Sequence, residues 1–540
     1  MKKITIILPI IFLFTACTED FLDITPKNNL SDGNYYKNQD HTLAAITSAY
    51  DVMTWMEFYG VFYALLLEGA GDDCIPENSR FKELTYNTDE GTIAEMYMII
   101  YMGIMRSNMV LEKVPAIEMD EELKNRILGE AKFLRAFYNW HLVTLWGEAP
   151  LITEVLTLEE QTQQSKNTTG EIWNQIETDL LGTGEVTGAI DLLPETHDPS
   201  NVGRASKGAA IALLAKSYLY QERWQEASDM FDRIIEKDLG GDGIGGYGLV
   251  QYDDPQYQDS AGFHDAYLSV FLENPFAGEN LEDGRPAIGG ENSKESVFEV
   301  QYNDYLAFPD GGMWLGWGNA GTFRNLYFGA TNWGAYRNLC PSESFVNEFE
   351  AGDPRKKASV FSNGDIMDYR PETQFYMVPF DYATSGSYSQ WIMKKTIYPI
   401  WYLANAAPIN FPLIRYADVL LMKAEALINL GDEPGAAQFI NRVRQRVGAP
   451  VTIPWVEDLI SSSSSISDLK DALIHERRVE LGLEIHRTRD LIRWSSPTIN
   501  WVRVSDYNQF FVAGKHEYFP IPQYEIDISE GNLVQNPNWN

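Results

Sequence analysis

Cysteine, histidine and positive charge are all scarce in this chain. Three cysteines and seven histidines occur in 540 residues. So few thiols argue against a disulfide-stapled fold, and so few imidazoles argue against a His-rich metal site. Lys and Arg total 42 against 77 Asp and Glu, a net charge of −35. That balance argues against nucleic acid, whose phosphates need basic patches, and against binding anionic lipid by charge. Pro-rich and Gly/Ser-rich linkers are absent, and the one low-complexity run, Ser461 to Ser465, reads as a surface loop. Past residue 17 no apolar run reaches the roughly 20 residues that a membrane-spanning helix requires. Nor is there a G-x-S-x-G or a phosphate-binding glycine loop: "GGDGIGGYG" (240–248) lacks the Lys-Ser/Thr ending.

What is present is apolar and aromatic. Hydrophobic residues make up 44% of the chain, ample for a packed core. At the N-terminus Lys2 and Lys3 precede an apolar stretch, Ile4 to Phe14, of signal-peptide length. Thr15 and Ala16 follow, then Cys17. This order resembles a bacterial lipobox, with residues 1–16 as the signal and Cys17 as the lipidated first residue. An ordinary secretory signal with an incidental cysteine is the alternative. Multiple acyl chains on Cys17 would give a stable anchor. Glu19 and Asp20 resemble the surface-export signal of Bacteroidota lipoproteins. Cys74 and Cys340 could pair or stay free; the sequence leaves both open.

The strongest periodic segments are helical. "ILGEAKFLRAFYNWHLVTLW" (127–146) sets apolar residues three and four apart. Residues 208–235 read as two helices joined near Gln221 to Arg223, and 416–447 as two more turning at Gly431 and Pro434. Both pairs fit the tetratricopeptide spacing of small and large residues: Ala215, Tyr218, Ala227 and Phe231 in the first, Ala424, Leu427, Ala436 and Ile440 in the second. Residues 467–494 add a further long helical region. Residues 240–410 differ, being rich in Gly, Pro, Asn and aromatics, with "SVFEVQY" (296–302) reading as a strand.

Five motifs then carry a family resemblance. They are "EAKFLRAFYNWHLVTLWGEAPLI", "GRASKGAAIALLAKSYLY", "PLIRYADVLLMKAEALINLG", "HERRVELGLEIHRTRDLIRW" and "YFPIPQYEIDISEGNLVQNPNW". With "DFLDITP" after the cysteine, they resemble the SusD/RagB family in order from residue 17 to 540. The resemblance implies a mainly α-helical fold: one domain over 17–540, with four tetratricopeptide-like helix pairs as scaffold. A loop-rich insertion with a few short strands, about 240–410, would pack on it. It implies a glycan-binding lipoprotein on the outer face of the outer membrane, capping a SusC-like TonB-dependent transporter and passing oligosaccharide to it without cleaving it. A peptide- or glycopeptide-binding lipoprotein is the alternative. A lipid-anchored glycoside hydrolase ranks below both, because no catalytic motif is present and the family match runs the full length; the two carboxylates it needs at a set distance cannot be tested from sequence.

Candidate ligand contacts come from two regions. Between Tyr305 and Tyr336 lie Phe308, Trp314, Trp317, Phe323, Tyr327, Phe328 and Trp333. "DGGMWLGWGNAG" sets Trp314 and Trp317 among glycines, which offer nothing to pack against. Flat rings bury the apolar faces of sugars well. Trp314, Trp317, Trp333 and Tyr336 are therefore expected as stacking residues, with Trp391 and Trp401 as looser candidates; filling the loop–scaffold interface is the alternative for each. The segment "GAGDDCIPENSRF" (69–81) resembles the family's polar site, which implies Asp73 and Arg80 as hydrogen-bonding residues. Tyr97, four residues before Tyr101, stands where the family often has Trp. Asn108, Trp140, Trp146 and Trp494 are read as structural. No catalytic residue, cofactor or metal is expected. His475-Glu476 lacks the second His of a zinc motif, Val479 standing in its place. "HERRVEL" reads instead as a charged helix face whose Glu and Arg side chains ion-pair with neighbours. Calcium at Asp242 or at Asp253 and Asp254 lacks a full loop pattern.

Overall fold

A computed structural model describes residues 36–272, 286, 288–302, 322–365, 379–383, 388–397, 407–448 and 466–539. Its frame is a series of helices, several of them started by a side-chain cap. α1 (Gln39–Asp51) begins at Asn38, whose side chain accepts from His41 N–H. α2 is Phe62–Ala70. α3 (Gly91–Lys113) begins at Glu90, and α4 (Glu121–Trp146) at Asp120, which accepts from Leu123 N–H. α5 (Thr169–Leu181) carries a reciprocal capping box between Thr168 and Glu171. Each such cap satisfies N–H groups that a helix start otherwise leaves unpaired.

The two expected helix pairs form where the spacing placed them. α6 (Lys207–Tyr220) and α7 (Trp224–Ile234) turn at Gln221–Arg223. α8 (Tyr416–Leu430) and α9 (Glu433–Gln445) turn at Gly431, whose φ of 81° suits glycine. Ala215, Ala227, Phe231, Ala424, Ala436 and Ile440 are fully buried between them. Packing runs in chain order, α3 on α4, α4 on α5, α5 on α6, α6 on α7, then α7 on α8 and α8 on α9. Close approach has a visible cause at Gly103: a Cβ there would lie 2.4 Å from the Tyr138 ring. The 467–494 region, expected as one helical stretch, is two helices, α10 (Ile466–Leu481) and α11 (Arg487–Trp494). Leu483 and Ile485, both at φ 68°, break it.

Strands are few and short. β1 (Cys74–Pro76) pairs antiparallel with β3 (Leu339–Pro341), and β2 (Ser296–Val300) with β4 (Phe411–Arg415). The expected strand at 296–302 is therefore present. Cys74 and Cys340 are both buried and free. Ile75, not Cys74, lies opposite Cys340, so the two thiols lie on opposite faces of the ribbon.

α10 is the hub. Glu476 accepts from Arg355 at 2.5 Å and Arg444 at 2.6 Å. Glu480 pairs with Arg355 and Arg415 at 3.1 Å and also with Arg446. Arg477 reaches Asp418 and Asp490, both at 2.8 Å. Arg478 reaches Asp73 at 2.8 Å and Asp72 and Glu348 at 2.9 Å. The "HERRVEL" charges do ion-pair with neighbours, and they do so inside the protein: Glu476 and Glu480 are fully buried. Burial alone would raise the Glu480 carboxyl, but Arg446, Arg415 and Arg355 hold it well below the usual range. Glu480→Ala strands those three guanidinium groups and is expected to cost about 3–5 kcal/mol in denaturant unfolding.

Protonated His475 donates from both ring nitrogens within the same hub, to Glu348 at 2.7 Å and to Glu350 at 2.9 Å. Burial opposes its charge, but the two carboxylates outweigh burial and raise the imidazole to about 9. A raised folded value stabilises the protein fully below the unfolded value of about 6.5 and is lost as pH climbs through 9. Between pH 6.5 and 9.5 the unfolding free energy is expected to fall by on the order of 2–3 kcal/mol. The fall should be absent in His475→Gln.

Candidate functional site

Pairing of β1 with β3 joins chain segments more than 260 residues apart. Just beyond the pair, the Asn338 side-chain amide donates to Glu77 at 2.8 Å. Two residues earlier Tyr336 stands 53% exposed. Tyr327 meets it edge-on at 5.6 Å between ring centroids. Tyr388, also exposed, lies under the Arg337 guanidinium at 4.8 Å and donates its hydroxyl to the Arg337 carbonyl. Arg337 sits at φ 58°, a turn that ends the loop and aims Tyr336 and Asn338 outward while Arg337 and Leu339 go inward. The result is a tyrosine surface edged by an amide and a carboxylate.

Arg80 continues this surface. It follows Glu77 by three residues, is 44% exposed at its side chain, and pairs with Glu90 at 3.1 Å. With Phe62, Asn87, Thr92 and Glu95 it borders an open polar cavity of about 570 Å³. Burial raises the carboxyls of Glu57 and Glu95, and the charge on Glu95 raises Glu57 further. Tyr327 is raised by burial, by Tyr336 and by Glu57.

Other expected contacts fall elsewhere. Asp73 is fully buried and its Oδ1 accepts from Arg478 Nε at 2.8 Å. The ion pair holds it inside the hub, away from solvent. Tyr97 is 3% exposed, with its ring 5.1 Å from Trp146 and 4.8 Å from Tyr101. It packs in the core on α3. Trp333 is half-buried, edge-on to Phe361 at 5.4 Å and Phe380 at 6.0 Å. Trp391 packs half-buried on the core. Asn108 is structural, as expected: it donates to the Ile152 and Glu154 carbonyls and accepts from Arg135. Cys17, Trp314, Trp317 and Trp401 lie outside the described residues. Asp254 spends its carboxylate on Gln256, and among the described residues no cluster of His, Cys, Asp and Glu could hold a metal ion. Sequence reasoning missed Glu57, Glu77, Glu95, Asn338 and Tyr388. The alternation of Tyr336 and Asn338 leading into a strand was the one local signal for any of them.

Two family models match the chain. One, described as the SusD family, covers residues 294–539. The other, described as starch-binding associating with outer membrane, covers residues 20–219. The chain belongs to the SusD/RagB family. A SusD-like protein of Formosa agariphila is 24% identical over 559 residues, spanning 98% of this chain and 97% of the relative. A SusD-like protein of Bacteroides ovatus is 25% identical, spanning 100% and 97%. A solved laminarin-binding SusD-like protein matches with a TM-score of 0.69 at 26% identity, covering 93% of this chain and 100% of its own. A SusD-like carbohydrate-binding protein from Bacteroides fragilis shares the fold at TM-score 0.69 and 20% identity, covering 92% and 99%. The family is one of glycan-binding proteins associated with the outer membrane.

Burial separates the two tyrosines. Tyr97→Ala is expected to lower unfolding free energy by about 3–4 kcal/mol, as for other buried aromatics. Tyr336→Ala should change it by within about 0.5 kcal/mol. Chemical denaturation of the two variants checks both.

Proposed function

We propose that this protein captures an oligosaccharide or polysaccharide at the cell surface and passes it to a SusC-like TonB-dependent transporter. The observation that carries this reading is the exposed Tyr336 ring, set edge-on to Tyr327 and flanked by the Asn338–Glu77 pair. A sugar's C–H face covers the ring, and the amide, carboxylate and Arg80 read its hydroxyl groups. Trp314 and Trp317 are further stacking candidates in this reading. Lipidation at Cys17 anchors the chain to the outer membrane. Capture is weak for one sugar and stronger for a polymer, whose repeats raise the effective concentration. The protein binds its glycan without cleaving it.

Native gels containing plant, fungal and host polysaccharides, laminarin among them, test this with protein truncated just after Cys17. Retardation by one polysaccharide is expected. Tyr336→Ala should bind about tenfold more weakly, roughly 1.4 kcal/mol. No retardation by any glycan, with retention of peptides instead, would move the reading to a peptide-binding lipoprotein. Release of new reducing ends would mark a hydrolase.

A further inference from the structure

A second cavity, of about 340 Å³, shares no residue with the surface just described. It lies between α3, the 150–164 segment and the Gln523–Ile528 helix. Met98, Met102 and Met105 line it at spacings of four and three, which puts them on one face of α3. Met98 and Met105 are each 41% exposed, an unusual position for two large apolar side chains. Thioethers are polarizable and adapt to irregular ligands. Tyr97 and Tyr101 add ring surface, and Pro150, Ile152 and Leu533 complete an apolar wall.

The polar lining is one-sided. Apart from the second N–H of each Gln amide, its donors are already engaged with the protein. Tyr101 Oη donates to the Pro150 carbonyl at 2.8 Å, and Tyr97 Oη to Tyr101 at 3.5 Å. Gln161 Nε2 donates to Leu156 O at 3.1 Å, Gln164 Nε2 to Glu160 O at 2.9 Å, and Thr162 Oγ1 to Glu159 O at 2.9 Å. Ser529 Oγ donates to Ile526 O at 2.7 Å. Left open are acceptors: the Gln161 and Gln164 amide oxygens and the carboxylates of Glu154 and Glu525. No Lys, Arg or His lines the cavity, and among the described residues neither carboxylate has an ion-pair partner. Glu525 is half-buried, and burial raises its carboxyl above the usual range. An uncompensated carboxylate against apolar walls and tyrosine rings suits a cation.

We infer that this cavity binds a small organic cation with an apolar body, an arylalkyl- or alkylammonium. Its ammonium group sets against Glu525, and its apolar part lies among the methionines and tyrosines. Glycans offer no positive charge and little continuous apolar surface, so this ligand class differs from that of the tyrosine surface.

Calorimetric titration of the protein truncated just after Cys17 tests the inference, with 2-phenylethylammonium and its neutral counterpart 2-phenylethanol as probes. The ammonium probe is expected to bind at least about tenfold more tightly. Glu525→Gln should remove that preference without shifting the melting temperature or the retardation by glycan. Met102→Trp, which fills the cavity, should abolish binding of both probes. Equal affinity for the two probes, binding of neither, or a preference that survives Glu525→Gln would overturn it.

Discussion

The buried ion network around α10 is the constraint on which the rest of the structure depends. Removing charges from water is expensive, and the attraction between them offsets that only where geometry is good and every lone pair is used. The "HERRVEL" stretch draws its charged partners from the whole chain. Asp72 and Asp73 come from the loop after α2, Asp418 from α8, Arg444 and Arg446 from the end of α9, and Arg355 from the loop-rich part. Glu295, next to β2, closes the set by bridging Arg415 at 2.6 Å and Arg446 at 2.7 Å. Such a network is directional in a way that apolar packing is not. It admits one arrangement of the loop-rich part on the helical frame, since any slip strands a charge.

That rigidity explains how a short ribbon can present a binding surface. β1 and β3 contribute three residues each, too few to hold a register alone. Asp72 and Asp73, immediately before β1, are clamped by Arg478 and Arg487. Ser342, immediately after β3, donates its backbone N–H to the Asp73 carbonyl at 2.8 Å. The ribbon is thus fixed at one end by the hub, and its other end projects Glu77, Asn338 and Tyr336 to solvent. The acidic residue that first suggested a ligand contact, Asp73, anchors the surface from beneath.

The family's breadth follows from the same division. Relatives near 25% identity match essentially the whole chain, and in this chain caps, small-residue contacts and the hub constrain the frame. Exposed rings at loop ends carry no such constraint. They can change with the ligand at little cost to stability, as scaffolds with functional loops generally allow.

By itself the sequence determined the helical frame, the turns at Gln221–Arg223 and Gly431, the strand at 296–300 and the family. Those are local properties: a 3.6-residue apolar period, a capping side chain or a glycine at positive φ acts within a few residues. It also indicated that the "HERRVEL" charges pair with neighbours, though not that the pairs are buried. Tyr336 and Arg80 were legible as candidates, whereas the burial of Asp73 and Tyr97 was not. Whether a carboxylate faces water or an arginine, and whether a ring covers a ligand or Trp146, depends on partners dozens to hundreds of residues away. Only the tertiary structure decided that Glu77 meets Asn338 and that Arg478 takes Asp73. Long-range pairing, set by strand register and the charge hub, leaves no periodic trace in the chain.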